Sequence, residues 1–546
     1  MWNSLSSFII KFRILFLFII AGVTFFMAQN AVNVEYSVER AKILPSSHQV
    51  FLDNQNFQNK YGNNQVMAIA ISDSLFFNID RFLFWDSLCS EINKINGVEN
   101  IISVNNLSKL EKNSDEKRFE TSKWFNDSLL NQEILDSLVI ELNKQKFYDG
   151  FLNDNNDGAL VLIDLDSEIV ISKNRDDLVF SIKDISEIYS KKYNVRLHYS
   201  GMPYMRSVQS VSLKKEIILF VFLTLLITSL ILYLFFRSFK AMFVSVIVVV
   251  LGVIFAFGFI EMLDYKITLL TALVPPVLIV IGIPNCIFLI NKFHNEYRKN
   301  NNKIKSLKIM IGKIGNITLL TNVTTATGFA AFLLTNSQSL QEFGLIASIN
   351  ILVIYILSLC LIPIFFSFFS PPKPNHTKHL DRKWVVSIVD YLIYLVNNKR
   401  SAIYTVTFIA LLFSVFGLTR MNLTGNLSDD FNKRDALYKD LKYFENKYKG
   451  VLPLEILVDT KKKNGLFKSY NLKKMEEFSS LLATYPDFSL PSSYIDFIKY
   501  SKQVYYNNDP AYFNLPNNQE QIFLTNYISN TSSSLNMRDM LIDSLN

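Results

Sequence analysis

Seven uncharged apolar runs interrupt the chain, and each is long enough, or nearly so, to cross a lipid bilayer as a helix. Spanning a hydrocarbon core of about 30 Å takes roughly 20 helical residues. The runs contain no Asp, Glu, Lys, Arg or His, and they lie at residues 14–28, 217–236, 241–260, 267–290, 317–334, 343–369 and 401–418. The pattern therefore predicts a polytopic α-helical membrane protein with seven transmembrane helices in this chain.

The long polar segments between these runs show other periodicities. In the first of them, strand-like alternation and helical spacing follow one another twice. The predicted elements are a strand at 65–72, a helix at 79–95, a strand at 97–104, a helical insertion at about 114–144, a strand at 159–165, a helix at 176–191 and a strand at 195–200. Two β-α-β units predict a ferredoxin-like α+β arrangement. Any other small α+β domain tethered outside a membrane is the alternative for this segment alone.

Lysine and arginine collect beside short loops on one side of the predicted spans. Seven lie in residues 292–313, and six more lie in residues 370–400, whereas the alternate short loops hold a single lysine. Because basic loops stay in the cytoplasm, we expect the N-terminus inside and the long polar segments outside. The first run is interpreted as an uncleaved helix and not as a secretory signal, because Ala28-Gln29-Asn30 is a poor cleavage site.

Composition agrees with a membrane protein. The chain of 546 residues is 50% hydrophobic and has a mean hydropathy of +0.20, which is too apolar for a soluble protein with such long runs. Its net charge of +7 does not predict nucleic-acid binding, because the basic residues flank the apolar runs instead of forming one patch. The predicted domains are transmembrane helix 1 (1–29), a first extracytoplasmic α+β domain (30–216), a five-helix transmembrane packet (217–369), a basic cytoplasmic loop (370–400), transmembrane helix 7 (401–418) and a partial second extracytoplasmic domain (419–546).

Two parts of the chain repeat one another. The stretch Phe57-Gln-Asn-Lys-Tyr-Gly62 resembles Phe444-Glu-Asn-Lys-Tyr-Lys-Gly450, and Phe444 lies 387 residues after Phe57. The same shift carries the first apolar run onto the seventh. Parallel repeats of this kind are known among transporters. Since the shift places the counterpart of the second run beyond residue 546, we expect the second packet of five helices to lie outside this sequence.

Four motifs give this organisation a family resemblance. They are Tyr199-Ser-Gly-Met-Pro203, Gly282-Ile-Pro-Asn-Cys-Ile-Phe-Leu289, Thr318-Leu-Leu-Thr-Asn-Val-Thr-Thr-Ala-Thr-Gly-Phe329 and Phe343-Gly-Leu-Ile-Ala347. With the order of spans and polar domains, they resemble transporters of the resistance-nodulation-division (RND) superfamily. Within it the chain is most similar to MMPL-type exporters and sterol-sensing-domain proteins of the Patched kind, truncated within the second repeat. The resemblance implies porter-type outer domains and a sterol-sensing-like packet.

The resemblance also implies where a proton carrier would lie. RND transporters couple export to proton entry through carboxylates in the fourth span, where an ionisable group is costly and usually functional. In relatives with the pattern Gly-x-Asp-Asn, the third position is that acid. Here the run reads Gly282-Ile283-Pro284-Asn285, so Pro284 replaces the expected proton-relay acid, and proline cannot hold or release a proton.

Uncharged polar residues remain in the fourth, fifth and sixth spans. The candidate transport seam consists of Asn285, Thr321, Asn322, Thr324, Thr325 and Asn350. The spacing of the four residues in the fifth span predicts that they share roughly one side of a helix, which would face Asn285. The alternative is ordinary interhelical hydrogen bonding, worth about 0.6 kcal/mol for each bond in a membrane.

No nucleotide-binding, metalloprotease or Cys-x-x-Cys motif occurs, so we expect neither an enzyme nor a cofactor nor a metal site. The leading hypothesis is a transporter in a bacterial inner membrane that exports a lipid or another hydrophobic or amphipathic solute. The alternative, which Pro284 favours, is a non-transporting paralogue that senses a membrane lipid or scaffolds an envelope complex. A protein-translocation accessory is a third option. Expected partners are the bilayer, a lipid-like substrate, and either further copies of the chain or envelope proteins, but no nucleic acid.

Overall fold

The computed structural model describes most of the chain in two compact units. The described residues are 2–34, 48–61, 65–125, 130–148, 158–372, 383–421, 433–450, 454–461, 465–486, 488–489 and 491–530. The membrane unit comprises Met1–Asp53 and Gln209–Gly425, and the α+β unit comprises Asn54–Val208 and Asn426–Asn546.

The described chain contains eighteen α-helices and six β-strands. The helices are α1 (Trp2–Lys11), α2 (Arg13–Asn33), α3 (Gln49–Tyr61), α4 (Ile79–Ile92), α5 (Gln132–Leu142), α6 (Ser167–Ile171), α7 (Arg175–Tyr193), α8 (Met202–Phe236), α9 (Phe239–Met262), α10 (Val274–Asn300), α11 (Lys303–Ala330), α12 (Gln338–Phe368), α13 (Lys383–Asn398), α14 (Arg400–Thr419), α15 (Ala436–Tyr448), α16 (Ser469–Ala483), α17 (Tyr494–Tyr505) and α18 (Asn518–Asn530). The strands are β1 (Gln65–Ser72), β2 (Val98–Ile102), β3 (Ser108–Asn113), β4 (Arg118–Lys123), β5 (Gly158–Leu165) and β6 (Arg196–Ser200).

Seven of the described helices are long and apolar enough to cross a membrane. They are α2, α8, α9, α10, α11, α12 and α14. Each overlaps one of the seven predicted spans, because an uncharged run of about 20 residues leaves few alternatives to a membrane helix. The chain is therefore a mostly helical, polytopic membrane protein.

The basic segment between the fourth and fifth spans is helical, whereas the sequence suggested a loop. Only Asn301 and Asn302 separate α10 from α11. Asn301 takes a left-handed φ of 47°, which asparagine tolerates at the end of a helix. Asn302 begins the next helix by accepting a hydrogen bond from the Lys305 N–H at 3.0 Å. The predicted basic loop at 370–400 likewise contains a helix, α13.

The fourth span begins later than predicted. Residues 267–270 are not helical, and a 3₁₀ turn at Thr271–Leu273 precedes α10. Pro275 and Pro276 explain the difference, because proline has no N–H to donate and is favoured in the first turn of a helix.

Glycines allow the helices of the membrane unit to approach closely around α12, the most buried of the seven spans. A Cβ atom at Gly252 of α9 or at Gly282 of α10 would lie within 3.0 Å of the Ile354 side chain of α12. A Cβ atom at Gly258 would lie 2.8 Å from the Met27 carbonyl oxygen of α2. Small residues at such crossings are typical of packed membrane helices.

Two β-α-β units in the α+β unit form one antiparallel sheet. The first is β1-α4-β2, the second is β5-α7-β6, and the strand order is β2-β5-β1-β6. The helices α4 and α7 contact each other. Trp85 of α4 and Ile182 of α7 belong to the same buried apolar cluster as Ile69 of β1. The period-two pattern of the strands thus places their apolar side chains in this core.

The insertion between the two β-α-β units was only partly predicted. Residues expected to begin a helix near 114 instead complete a hairpin of β3 and β4, and α5 is the one α-helix among the described residues of the insertion. The turn explains this, because the Asn113 carboxamide accepts hydrogen bonds from the N–H groups of Asp115 and Glu116, and Lys117 has a left-handed φ of 48°.

Described residues from the C-terminal polar segment pack within the same compact unit, although the sequence suggested part of a separate second domain. The His198 Nδ1 of β6 lies 2.9 Å from the Asp440 carboxylate of α15, and the Tyr443 ring stacks on His198 at 3.8 Å. Tyr500 of α17 stacks on Phe147 at 4.8 Å. Described residues of the C-terminal segment therefore contribute to the core of this unit.

Candidate functional site in the membrane unit

The centre of the candidate site is a pair of asparagines on adjacent helices. The Asn285 amide of α10 donates to the Asn322 carboxamide oxygen of α11 at 3.0 Å, and Asn322 donates in return at 2.9 Å. Both side chains are buried, at 4% and 2% exposure. A buried side-chain amide in a membrane needs hydrogen-bond partners from the protein, because no water is present. The two asparagines supply such partners to each other.

The polar line on α11 continues through Thr318 and Gly315. Asn322 also donates to the Thr318 carbonyl at 2.7 Å, and the Thr318 hydroxyl donates to the Ile314 carbonyl at 2.9 Å. The Tyr355 hydroxyl of α12 donates to the Gly315 carbonyl at 2.9 Å. Positions 315, 318 and 322 recur at helical spacing, so α10, α11 and α12 share one line of neutral polar contacts.

The predicted threonines of α11 do not join this line. Thr321 and Thr324 are exposed, and Thr325 is only partly buried. Their hydroxyls donate to backbone carbonyls one turn earlier in the same helix, at 2.8 to 3.0 Å. Thr321 and Thr324 do not share the side of Asn322, because they lie one and two positions from it in the helix. Thr325 lies three positions away and does share that side, but its hydroxyl donates to the Thr321 carbonyl of its own helix.

Asn350 lies apart from the pair, on α12. Its side chain is fully buried, and its amide donates to the Ile346 carbonyl at 2.8 Å. Among the described residues its carboxamide oxygen has no hydrogen-bond partner. The structure thus brings together Asn285 and Asn322, and leaves Asn350 and the three threonines outside that contact.

Pro284 lies inside α10, next to Asn285, without interrupting the helix. Since proline has no N–H, the Val280 carbonyl cannot receive its usual hydrogen bond from four residues later. The position implied for a proton-relay acid therefore holds no titratable group. Among the described residues, no group of three or more His, Cys, Asp or Glu side chains could hold a metal ion.

Sequence reasoning missed Tyr355 and Gly315. The signal for Tyr355 was a phenol inside an otherwise apolar run, since a buried tyrosine hydroxyl usually finds a hydrogen-bond partner. Gly315 has a different role, because a Cβ atom there would lie 2.8 Å from the Trp2 ring of α1. The need for glycine at this position is visible only from the contact between α1 and α11, which are far apart in the sequence.

The sequence model of the MMPL family matches residues 98–390, which is just over half of the 546 residues and includes all of α8 to α12. The chain belongs to the MMPL family. The membrane packet that carries the asparagine pair lies wholly within the matched part of this MMPL-family protein, and the protein is transporter-like.

A distant relative agrees with this assignment. The MMPL-family protein is 22% identical over 361 residues to MJ1562 of Methanocaldococcus jannaschii, a protein named for its expected place in a membrane. The alignment covers 64% of this chain and 89% of the archaeal protein. This relative supports the membrane assignment, and its name identifies no substrate.

Proposed function

We propose that this protein exports a lipid or another hydrophobic or amphipathic solute across or out of a bacterial inner membrane. The observation that carries the proposal is the MMPL-family match over the whole packet α8 to α12. A transport path lined by neutral polar groups suits such a solute, because a hydrophobic substrate needs no charged binding site. Asn285 and Asn322 are the groups that we assign to the path.

The α+β unit supports the porter-type assignment. Its two β-α-β units share one antiparallel sheet in the order β2-β5-β1-β6, which is the order of a ferredoxin-like sheet with an insertion after its second strand. We place this unit on the outer side of the membrane, since Lys and Arg flank the opposite ends of the spans. A protein that only senses a membrane lipid has little need of so large a unit.

We propose that energy coupling by this chain does not run through a carboxylate in its membrane spans. With Pro284 in the acid position, the candidate acids are Glu261 at the end of α9 and Asp264 in the loop that follows, and Asp264 is exposed. We expect the double variant Glu261→Gln, Asp264→Asn to keep nearly all of any flux driven by a pH gradient. Loss of most of that flux, with normal membrane insertion, would show that one of these acids carries the proton.

Reconstitution in liposomes tests the proposed function. Liposomes with and without the protein are loaded with a fluorescent phospholipid analogue and mixed with acceptor vesicles, while a water-soluble dye serves as the control for leakage. We expect transfer of the lipid analogue, but not of the dye, to require the protein. Equal lipid transfer with and without the protein, across an imposed pH gradient and without one, would favour the lipid-sensing or scaffolding alternative.

A further inference from the structure

Three basic side chains from three helices converge on the C-terminal end of α12. The Arg13 guanidinium of α2 donates to the Ser367 hydroxyl at 3.1 Å. The Lys303 ammonium of α11 donates to the carbonyls of Ser367 and Phe369 at 2.7 and 3.0 Å, and the Lys240 ammonium of α9 donates to the Ser370 hydroxyl at 2.6 Å. We refer to Arg13, Lys240 and Lys303 as the basic cluster.

No described carboxylate in α8 to α12 is available to this cluster. Glu296 is the acid of these five helices that lies at this end, and it is held by Lys292 at 3.1 Å and by Lys313 at 3.6 Å. The other acids of these helices are at the opposite end. The partners of the three cations are thus neutral hydroxyls and carbonyls.

Capping of α12 accounts for only part of the positive charge. The C-terminus of a helix carries the equivalent of about half a negative charge. Lys303 reaches the terminal carbonyls, but Arg13 and Lys240 reach only hydroxyls. More than two positive charges at this end of the spanning helices therefore remain without a carboxylate partner among the described residues of α8 to α12.

The surroundings of the cluster match a lipid headgroup and its acyl chains. The Arg13 guanidinium lies 4.3 Å from the centre of the Phe368 ring, and the Lys240 ammonium lies 5.4 Å from that of Phe369. Phe368 is 49% exposed. Cations beside aromatic rings at a helix end are suited to the boundary between headgroups and hydrocarbon.

We propose that the basic cluster binds the phosphate of an anionic phospholipid from the leaflet at this end of the membrane unit. The lipid would neutralise the cluster and would connect α2, α9 and α11 to the end of α12. The proposal does not depend on which side of the membrane this end faces, nor on whether the protein transports anything.

Counting of bound lipid by native mass spectrometry tests the proposal. The full chain in detergent is titrated with phosphatidylglycerol, with phosphatidylcholine and with inorganic phosphate. We expect one phosphatidylglycerol to be retained preferentially over phosphatidylcholine. The triple variant Arg13→Gln, Lys240→Gln, Lys303→Gln should bind it on the order of a hundredfold more weakly, since each basic residue near a lipid phosphate contributes about a fivefold gain.

Two further variants separate the site from general charge and from folding. The triple variant Lys299→Gln, Lys305→Gln, Lys308→Gln removes the same charge at the same end and should lose less than about threefold. The variant Arg13→Lys, Lys240→Arg, Lys303→Arg keeps the charges and should retain binding. Equal losses in the two neutralised variants, equal retention of both lipids, or saturation of the site by inorganic phosphate at the same concentration would overturn the proposal.

Discussion

The two copies of the sequence repeat fold alike but lie in different surroundings. A shift of 387 residues carries α3 onto α15 from first to last residue, and it carries the break between α1 and α2, at Phe12, onto the break between α13 and α14, at Lys399. The start of α2 at Arg13 falls on the start of α14 at Arg400. Local sequence therefore sets the helix boundaries in both copies.

The two copies differ in which helix is packed. The spanning helix is the packed one in the first copy, and the helix of the polar segment is the packed one in the second. In the first copy, α2 packs against α9, whereas its counterpart α14 has no buried residue among those described. In the C-terminal copy, α15 buries Leu441 and Phe444, whereas most of α3 is exposed. Leu441 corresponds to Asn54 in the first copy, whereas Phe444 corresponds to another phenylalanine, Phe57. The two copies therefore share their helix boundaries but not their tertiary environment.

Truncation of Phe444 and of its counterpart Phe57 should give the largest difference in stability between the two copies. Phe444→Ala removes a buried ring and should lower the free energy of unfolding of the α+β unit by about 3 to 5 kcal/mol. Phe57→Ala, at the corresponding half-buried position, should cost less than about 1.5 kcal/mol. Hydrogen exchange of β5 and β6 in the full chain measures both. Similar losses in the two variants would mean that α3 is packed as firmly as α15.

The glycines of the spans provide a second contrast. Gly258→Val places a side chain against the Met27 backbone and should lower the stability of the membrane unit by about 2 to 3 kcal/mol. Gly417 of α14 has open space around it, so Gly417→Val should be nearly neutral. Thermal unfolding in detergent compares the two variants. A neutral Gly258→Val would show that α2 does not pack against α9 at this point.

The repeated aspartates should differ less. Asp440 is buried beside His198, so Asp440→Ala leaves an unpaired imidazole and should cost about 1 to 2 kcal/mol. Asp53, its counterpart, bonds to Gln49 on the surface, and Asp53→Ala should stay within about 0.5 kcal/mol. Protease resistance of α15 in the full chain is the measurement. Equal resistance of both variants would show that the His198 contact does not hold α15.

The smallest expected effect concerns pH within the C-terminal segment. Burial alone favours the neutral acid, but Lys502 at 2.8 Å and the Asn517 N–H hold the pKa of Glu520 below its ordinary value. Its contribution to stability is therefore complete above about pH 4.3 and is lost as the pH falls through the lowered pKa. Glu520→Gln should reduce the loss of hydrogen-exchange protection in α18 between pH 5 and pH 3, by about 1 kcal/mol or less. The exposed Glu477→Gln is the control, and an identical pH response in both would contradict the pairing.

The sequence predicted the spans and both β-α-β units because their signals are local and repeated. Thr321 and Thr324 of α11 were misplaced because spacing alone does not tell which side of a helix meets a neighbour, and here Gly315, Thr318 and Asn322 form that side. The contact of Asn285 with Asn322 was predictable, since two amides on adjacent spans need partners. The packing of α15 on β6 was not, because it depends on contacts about 240 residues apart in the chain.

Lipid transfer by a variant without the asparagine pair tests the proposed transport path most directly. The double variant Asn285→Leu, Asn322→Leu replaces both partners by apolar side chains and should fold, because no amide is left unpaired. Thr324→Val changes an exposed polar group on the same helix and is the matched control. In liposomes carrying a fluorescent phospholipid analogue, we predict at least a tenfold loss of transfer in the double variant and none in the control. Transfer at the wild-type rate by the double variant, at equal protein content, would contradict a path along Asn285 and Asn322.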